Sequence, residues 1–291
     1  MPRAPPWKAK QDQWLQSCSD RMLSRGTINT YRWALNSFRK FAKENDIYLN
    51  PSTIEPSHVR EFYYHLVDSG IKTATQQSYT SALLLFLRFC QNRKCSAIKM
   101  RISVSRTHVN WLDELEVARF IVAAKNPQLR GVLVLMAYCG LRRGEVANLL
   151  WKNVGSNQLS ICGKGRKERT IPLDRAFWSA MAPYMEWAER NPRSEFFIAY
   201  PKGDGKVSGY SEKTLSMLVR SHARSLEMEA SPHTLRRSFG RHLYKRGCPL
   251  AELQTLMGHA SLEMTIRYLG IGDEDISHAI KFRPDYLGNK K

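Results

Sequence analysis

Asn157-Gln158-Leu159-Ser160-Ile161-Cys162-Gly163-Lys164-Gly165-Arg166-Lys167-Glu168-Arg169-Thr170-Ile171-Pro172-Leu173 carries the clearest strand signal in the chain. Asn157 to Cys162 alternates polar and apolar, Gly163 to Glu168 supplies turn chemistry, and Arg169 to Leu173 returns, so the stretch predicts a small hairpin with a basic tip. Around it the period is helical. Upstream, Asp113-Glu114-Leu115-Glu116 places one acid at a helix cap and another three residues on, ahead of an apolar stripe of Leu115, Ala118 and Phe120 to Ala123. Downstream, Glu195 to Tyr200 is expected to add a short strand, and Pro201 to Gly209, rich in glycine and lysine, a mobile loop. The fold class that follows is mainly α with a small β-sheet.

Toward the N-terminus the helical period continues. Thr27 is expected to cap a helix in which Ile28, Tyr31, Leu35, Phe38 and Phe41 share one face and Arg32, Arg39, Lys40 and Lys43 the other. Ser57 is expected to cap another, carrying Val59, Phe62, Tyr63, Leu66 and Val67 before a terminating Gly70. Ala82 to Phe89 is apolar enough for the centre of a bundle, and a shorter helix around Asp12 to Leu23 makes about four. Residues 102–110 are polar, basic and without period, and read as a linker. The expected organisation is a helical domain over 1–101, the linker 102–110, and an α+β domain with a C-terminal tail over 111–291. No repeat recurs at a fixed period.

The charge is as informative as the pattern. The 291 residues are 43% hydrophobic and carry a formal charge of +19. That is enough apolar content for a real core, and an excess whose simplest reason is a polyanionic partner. Residues 1–110 hold 17 basic and 7 acidic side chains and residues 111–291 hold 28 and 19, so both halves are equipped to touch phosphates. Nucleic acid leads over an anionic membrane surface. The longest apolar run, Val132 to Cys139, is far shorter than the roughly 20 residues of a spanning helix. The N-terminal Met1-Pro2-Arg3-Ala4-Pro5-Pro6-Trp7-Lys8 lacks the apolar stretch of a secretory signal, and the expectation is a cytoplasmic, DNA-associated protein with reduced, mostly buried cysteines.

Familiar site patterns are missing: no G-x-x-x-x-G-K-S/T, no G-x-G-x-x-G after a strand, no H-E-x-x-H, no G-x-S-x-G. His233, His242, Cys248 and His259 match no metal-ligand spacing, so neither a metal nor a cofactor is expected. Four segments remain. Gly140-Leu141-Arg142-Arg143-Gly144-Glu145 sets Arg142 in a glycine-flanked turn between two apolar helices. Gly163-Lys164-Gly165 holds a lysine where backbone can approach a ligand closely. Ser231-Pro232-His233-Thr234-Leu235-Arg236 puts His233 and Arg236 on one face of a helix start, whose backbone donors favour phosphate. Leu256-Met257-Gly258-His259 is followed nine residues later by Tyr268. Taken singly, each also reads as an exposed helix junction, a solvated turn, a structural histidine or a boundary tyrosine. Together they supply two arginines, a lysine, two histidines and a tyrosine, an inventory suited to phosphoryl transfer without a metal. Arginines clamp non-bridging oxygens, a lysine or histidine protonates a leaving oxygen, and tyrosine attacks phosphorus.

In this order and spacing, G-L-R-x-x-E, G-K-G-x-K-E-R, H-x-L-R, L-x-G-H and then tyrosine resemble the catalytic domain of the tyrosine recombinases, the integrase group that includes the Xer proteins. The match runs through the second half motif by motif. The basic first half resembles the family's core-binding domain in size and character. The resemblance implies that Arg142 and Arg236 bind the scissile phosphate, that His233 and His259 supply hydrogen bonds and proton transfer, and that Lys164 is the general acid for the 5′ oxygen, with Lys167 on the same tip as the alternative. It also implies that Glu145 orients the site and that Tyr268 forms a 3′-phosphotyrosyl link, so that strands reseal without ATP. Two departures are Arg237, where many bacterial Xer proteins have histidine, and Leu269-Gly270, where many members have Thr-His. The expected partner is double-stranded DNA carrying a specific site, gripped by two basic domains with a steep salt dependence. A homotetramer on that DNA is expected to exchange C-terminal tails, with Asp273 capping a short helix bearing Ile276, Ala279 and Ile280. Two other readings share the motifs: a type IB topoisomerase-like relaxing enzyme, and a non-catalytic DNA-binding protein of the same fold.

Overall fold

The computed structural model describes residues 7–98, 110–162, 168–191, 194–203, 206–271 and 275. The hairpin tip with Lys164 and Lys167, nearly all of the expected linker, and the expected tail helix with Asp273, Ile276, Ala279 and Ile280 lie outside the described residues. By contact the chain divides into two compact units, residues 1–106 and 107–291.

In the first unit α1 (Trp7–Asp20), α2 (Arg25–Glu44), α3 (Pro56–Asp68), α4 (Thr73–Phe89) and the single turn α5 (Arg93–Ser96) surround an aromatic core. Trp7 stacks on Phe38 at 5.3 Å, Phe38 meets Phe62 edge-on at 5.2 Å, and Phe86 tilts against both Trp7 and Trp14. Rings of this size bury more apolar area per residue than any aliphatic side chain, which suits a small bundle. Three expectations shift. Ser24, not Thr27, caps α2, its hydroxyl accepting from the Thr27 N–H at 3.2 Å and sharing a hydrogen bond with the Thr27 hydroxyl. Glu55, not Ser57, caps α3, with Pro56 at the first helical position, where its missing N–H costs nothing. α4 begins at Thr73, well before the apolar run, because its first turns bury polar Gln76 and Thr80. The outward face of α2 leaves Arg32, Lys40 and Lys43 exposed and Arg39 half-buried.

The second unit is built on α7 (Pro127–Tyr138), in which every residue from Gly131 to Met136 is buried. It follows α6 (Glu114–Val122), whose capping box pairs Asp113 with Glu116 as expected. After α7 come the one-turn α8 (Arg143–Ala147), the hairpin strands β1 (Gln158–Cys162) and β2 (Glu168–Pro172), and α9 (Arg175–Glu189). β1 and β2 are antiparallel, with Leu159 opposite Ile171 and Ile161 opposite Arg169. Instead of one strand over 195–200 and a mobile loop beyond it, β3 (Ala199–Pro201) pairs with β4 (Val207–Gly209), while Phe196 bridges to Leu150. The fold closes with α10 (Glu212–Ser225), α11 (Pro232–Lys245), α12 (Leu250–Met257) and α13 (Leu262–Leu269). α11 packs on α7, α12 and α13, and the buried Ser238 hydroxyl accepts from the Leu112 N–H at 2.9 Å. Near the chain end, Asp275 makes a two-pronged ion pair with Arg241 at 3.0 and 2.7 Å. Cys18, Cys95 and Cys139 are buried thiols, Cys90 and Cys248 half-buried, and Cys162 exposed. Among the described residues no helix is long and apolar enough to cross a membrane, and no group of three or more His, Cys, Asp or Glu is placed to hold a metal ion.

Candidate active site

Arg142 ends the turn after α7 and caps α8, so its backbone is pinned where its side chain must work. Its N–H donates to Glu145 Oε2 at 2.7 Å, its Nη1 to Glu145 Oε1 at 2.8 Å, and its Nη2 to the Gly258 carbonyl at 3.1 Å. A third of this side chain stays open to solvent. Arg236, one turn into α11, is the opposite case: it is 1% exposed. Its guanidinium donates to the carbonyls of Gly140 and Met257, lies 3.4 Å from His259 Nε2, and pairs with Glu145 Oε2 at 3.7 Å. Burial and the neighbouring Arg142 charge bring its pKa down to about 10, so it stays a cation at neutral pH.

A turn with a backbone no larger side chain would fit makes this convergence possible. Gly140 sits at φ +59°, and a Cβ there would fall 2.3 Å from the Phe239 ring.

Glu145 is the hub. Burial alone would raise its pKa, but hydrogen bonds and charge from Arg169, the Arg142 N–H and the Arg236 charge hold it down to about 2. Arg169 closes the G-K-G-x-K-E-R motif but carries no role in the sequence reading. From the start of β2 its Nη1 and Nη2 donate to the two Glu145 oxygens at 2.9 and 2.8 Å, and its Nε donates to the Leu256 carbonyl at 2.8 Å. The signal was available: Arg169 and Ile171 share one face of β2 at a period of two, and Ile171 is an obvious inward residue.

His259 follows the C-terminus of α12 and is 8% exposed. Burial and the charges of Arg236, Arg142 and Arg169 lower its pKa to about 4, leaving it neutral. The Tyr268 ring on α13 lies edge-on to it at 5.1 Å, with the Arg236 guanidinium 5.9 Å and the Arg237 guanidinium 5.1 Å from the ring centre. Burial pushes the Tyr268 pKa up, while arginines 236, 237 and 142 pull against it. Its hydroxyl donates to the His233 carbonyl at 3.1 Å. Arg237, noted in the sequence only as a departure, donates to the Tyr268 carbonyl at 3.0 Å and so tethers the end of α13 to α11.

Of the residues singled out from sequence, Arg142, Glu145, Arg236, His259 and Tyr268 therefore form one contiguous cluster. His233 joins it through its carbonyl, its imidazole lying exposed at the rim, where partial desolvation and arginines 143, 236, 237 and 142 lower its pKa. A cluster of convergent guanidiniums, a phenol and neutral imidazoles is complementary to a phosphodiester rather than to a cation or an apolar ligand.

Comparison with known proteins agrees along nearly the whole chain. The sequence model of the phage integrase family matches residues 110–274, and that of the N-terminal SAM-like domain of phage integrases matches residues 12–94. The tyrosine recombinase XerA of Pyrococcus horikoshii is 26% identical over 262 residues, covering 89% of this chain and 87% of that protein. XerD of Pseudomonas putida is 28% identical over 282 residues, covering 88% and 91%. Among solved structures, a λ integrase tetramer bound to a Holliday junction superposes with a TM-score of 0.71 at 17% identity, covering 92% of this chain and 78% of that one. XerH site-specific recombinase bound to its difH substrate superposes with a TM-score of 0.66 at 21% identity, covering 87% and 78%. With both units matched in order and a tyrosine set among arginines in the second, the chain belongs to the phage integrase family of tyrosine recombinases, enzymes that break and rejoin DNA.

Proposed function

We propose that this protein is a site-specific recombinase that cuts one DNA strand at a time through Tyr268 and passes the end to a second strand. The observation that carries the reading is the placement of the Tyr268 ring within 6 Å of the buried Arg236 guanidinium, in a cluster that also holds Arg142 and His259. Arg142 and Arg236 take the two non-bridging oxygens of the scissile phosphate, with His259 beside them. The Tyr268 oxygen forms a bond to phosphorus as the bond to the 5′ oxygen breaks. The phenolic proton passes to a neutral histidine, His233 at the rim, and Lys164 protonates the departing 5′ oxygen. The 3′-phosphotyrosyl link keeps the bond energy, and the 5′ hydroxyl of a partner strand reverses the step on a new end without metal or ATP. Glu145 keeps the arginines in register.

In this reading the helical unit is the core-binding domain and the second unit the catalytic domain, both on duplex DNA in the cytoplasm. The λ integrase structure is a tetramer on a Holliday junction. A tetramer with exchanged C-terminal tails is the corresponding assembly here, and the same chemistry serves integration, excision or dimer resolution.

The test uses nicked duplexes bearing sites selected from a randomised pool by binding to the Tyr268→Phe protein. Incubated with wild type without added metal, they give a slow-migrating covalent band on a denaturing gel that Tyr268→Phe abolishes while still binding DNA. Bound DNA with no covalent band on any selected site, or on a pool including the native locus, sinks the recombinase reading in favour of a non-catalytic DNA-binding protein.

A further inference from the structure

Thr265 lies on the Tyr268 helix, one turn before the tyrosine, and is completely buried although it is polar. Its hydroxyl is 3.0 Å from His259 Nδ1 and 3.4 Å from the carbonyl of Ser261. The backbone of His259 is already held, its N–H donating to the Gln254 carbonyl and its own carbonyl accepting from the Gln254 side chain. What the Thr265 contact adds is therefore control of the ring and of the proton on it. The charged groups around that ring are Arg142, Arg169, Arg236 and Glu145, and Tyr268 covers one edge.

The proton can be placed from the partners. Arg236 Nη2, 3.4 Å from His259 Nε2, has hydrogens and no lone pair. Nε2 therefore faces it as the acceptor, and the ring proton sits on Nδ1. Nδ1–H donates to the Thr265 oxygen, and the Thr265 hydrogen points at the Ser261 carbonyl. If His259 faces the scissile phosphate, as the recombinase reading requires, this arrangement is wrong for a bound substrate, because a phosphate oxygen needs an N–H from Nε2. The proton must then leave Nδ1, and Nδ1 must find a donor. A hydroxyl can be acceptor in the first state and donor in the second by rotating its hydrogen from Ser261 to Nδ1.

We infer that Thr265 is a positioning residue that serves both tautomers of His259, accepting from the Nδ1–H that Arg236 selects in the empty site and donating to Nδ1 when phosphate calls for an Nε2–H donor. This rests on the recombinase reading for its consequence and on the hydrogen-bond geometry for its cause, and the two are tested separately. Because Thr265 belongs to the helix of Tyr268, the element that places the tyrosine also holds the His259 ring.

The experiment uses the full chain with ¹⁵N-labelled histidine, His259 being assigned by its loss in His259→Gln. Long-range ¹H–¹⁵N spectra of the free protein should show His259 as the Nδ1–H tautomer. In the Tyr268→Phe protein bound to a selected duplex they should show Nε2–H. Thr265→Val, of equal size but without the hydroxyl, should leave Nδ1 without a donor in the DNA-bound protein, so that the bound spectrum no longer shows a single Nε2–H tautomer. It should also slow covalent-band formation about 10- to 100-fold, as loss of an outer hydrogen-bond partner does for metal-bound histidines, with DNA affinity within about twofold. Thr265→Ser should restore both the single tautomer and the rate. An Nε2–H tautomer in the free protein overturns the inference, as does a Thr265→Val protein that cleaves at the wild-type rate. A Thr265→Ser protein as slow as Thr265→Val would assign the effect to the methyl group's packing and overturn it too. If wild type forms no covalent band at all, the recombinase reading fails while the spectra still decide the tautomer.

Discussion

Glu145 is asked to neutralise more than one charge. Its two oxygens meet Arg169 in a two-pronged pair and Arg142 through side chain and backbone, with Arg236 just beyond hydrogen-bond range. Exposure decides what each contact is worth. Arg169 is 6% exposed at its side chain and has no water to fall back on, whereas Arg142 is 37% exposed and does. Glu145→Gln therefore strands a buried guanidinium and should cost about 3–5 kcal/mol in a urea titration at neutral pH. The pH dependence has a definite sign. Glu145 titrates near 4.5 unfolded and about 2 folded, so its contribution is full above the unfolded value and is lost as the pH falls through the folded one. His259 titrates near 6.5 unfolded and about 4 folded, and the unfolded chain binds the extra proton between those values, so stability already declines below 6.5. His233 and His242, also lowered on folding, act in the same direction. Unfolding curves collected from pH 7 to 2 should show a first loss that His259→Gln diminishes and a second that Glu145→Gln removes.

At the scale of elements the site depends on how closely helices are allowed to approach. Gly140 ends α7 in the left-handed region, packs against Phe239, and gives its carbonyl to Arg236. Gly70 has a similar φ of +67° but open space around it. Gly140→Ala should pay both the left-handed backbone and an overpacked contact, about 2–4 kcal/mol, and displace Arg236. Gly70→Ala should pay only the first, about 1–2 kcal/mol. Hydrogen exchange on the full chain reads the two losses in their own units, and covalent-band formation should fall only for Gly140→Ala. The same elements show what a sequence reveals. The β1–β2 hairpin and the Asp113 cap were legible because alternation and capping are local. The start of α4 was not, because Gln76 and Thr80 are polar residues on its buried face and break the apolar period. Arg142, Arg236 and Tyr268 could be picked out by spacing, but that one carboxylate joins Arg142 and Arg236 to an arginine from a strand is a fact of tertiary packing. Thr265 was hidden in the same way: it shares a helix face with Leu269, and only the fold shows His259 waiting on that face.

The whole molecule carries +19, divided almost evenly between residues 1–110 and 111–291. A single basic tail would give non-specific attraction alone, but a charge spread over both units means that both pay self-repulsion in the free protein and both gain when phosphates replace it. Binding should then release counterions along the full footprint. If six to ten phosphates are contacted, affinity for a selected duplex should weaken about 10³- to 10⁵-fold between 50 and 200 mM salt. Substitutions separate this field from the chemistry. Arg32 and Lys43 are exposed on the outward face of α2, away from the arginine cluster in sequence and in unit. Replacing both with Gln should reduce the slope of log affinity against log salt by about two and weaken all duplexes alike. Tyr268→Phe removes no charge and should leave the slope unchanged while abolishing the covalent band. A fluorescence-anisotropy titration across salt concentrations reads both effects. A flat slope would place the excess charge away from DNA, and a loss confined to particular sequences in the Arg32 and Lys43 variant would mean that α2 reads bases rather than phosphates.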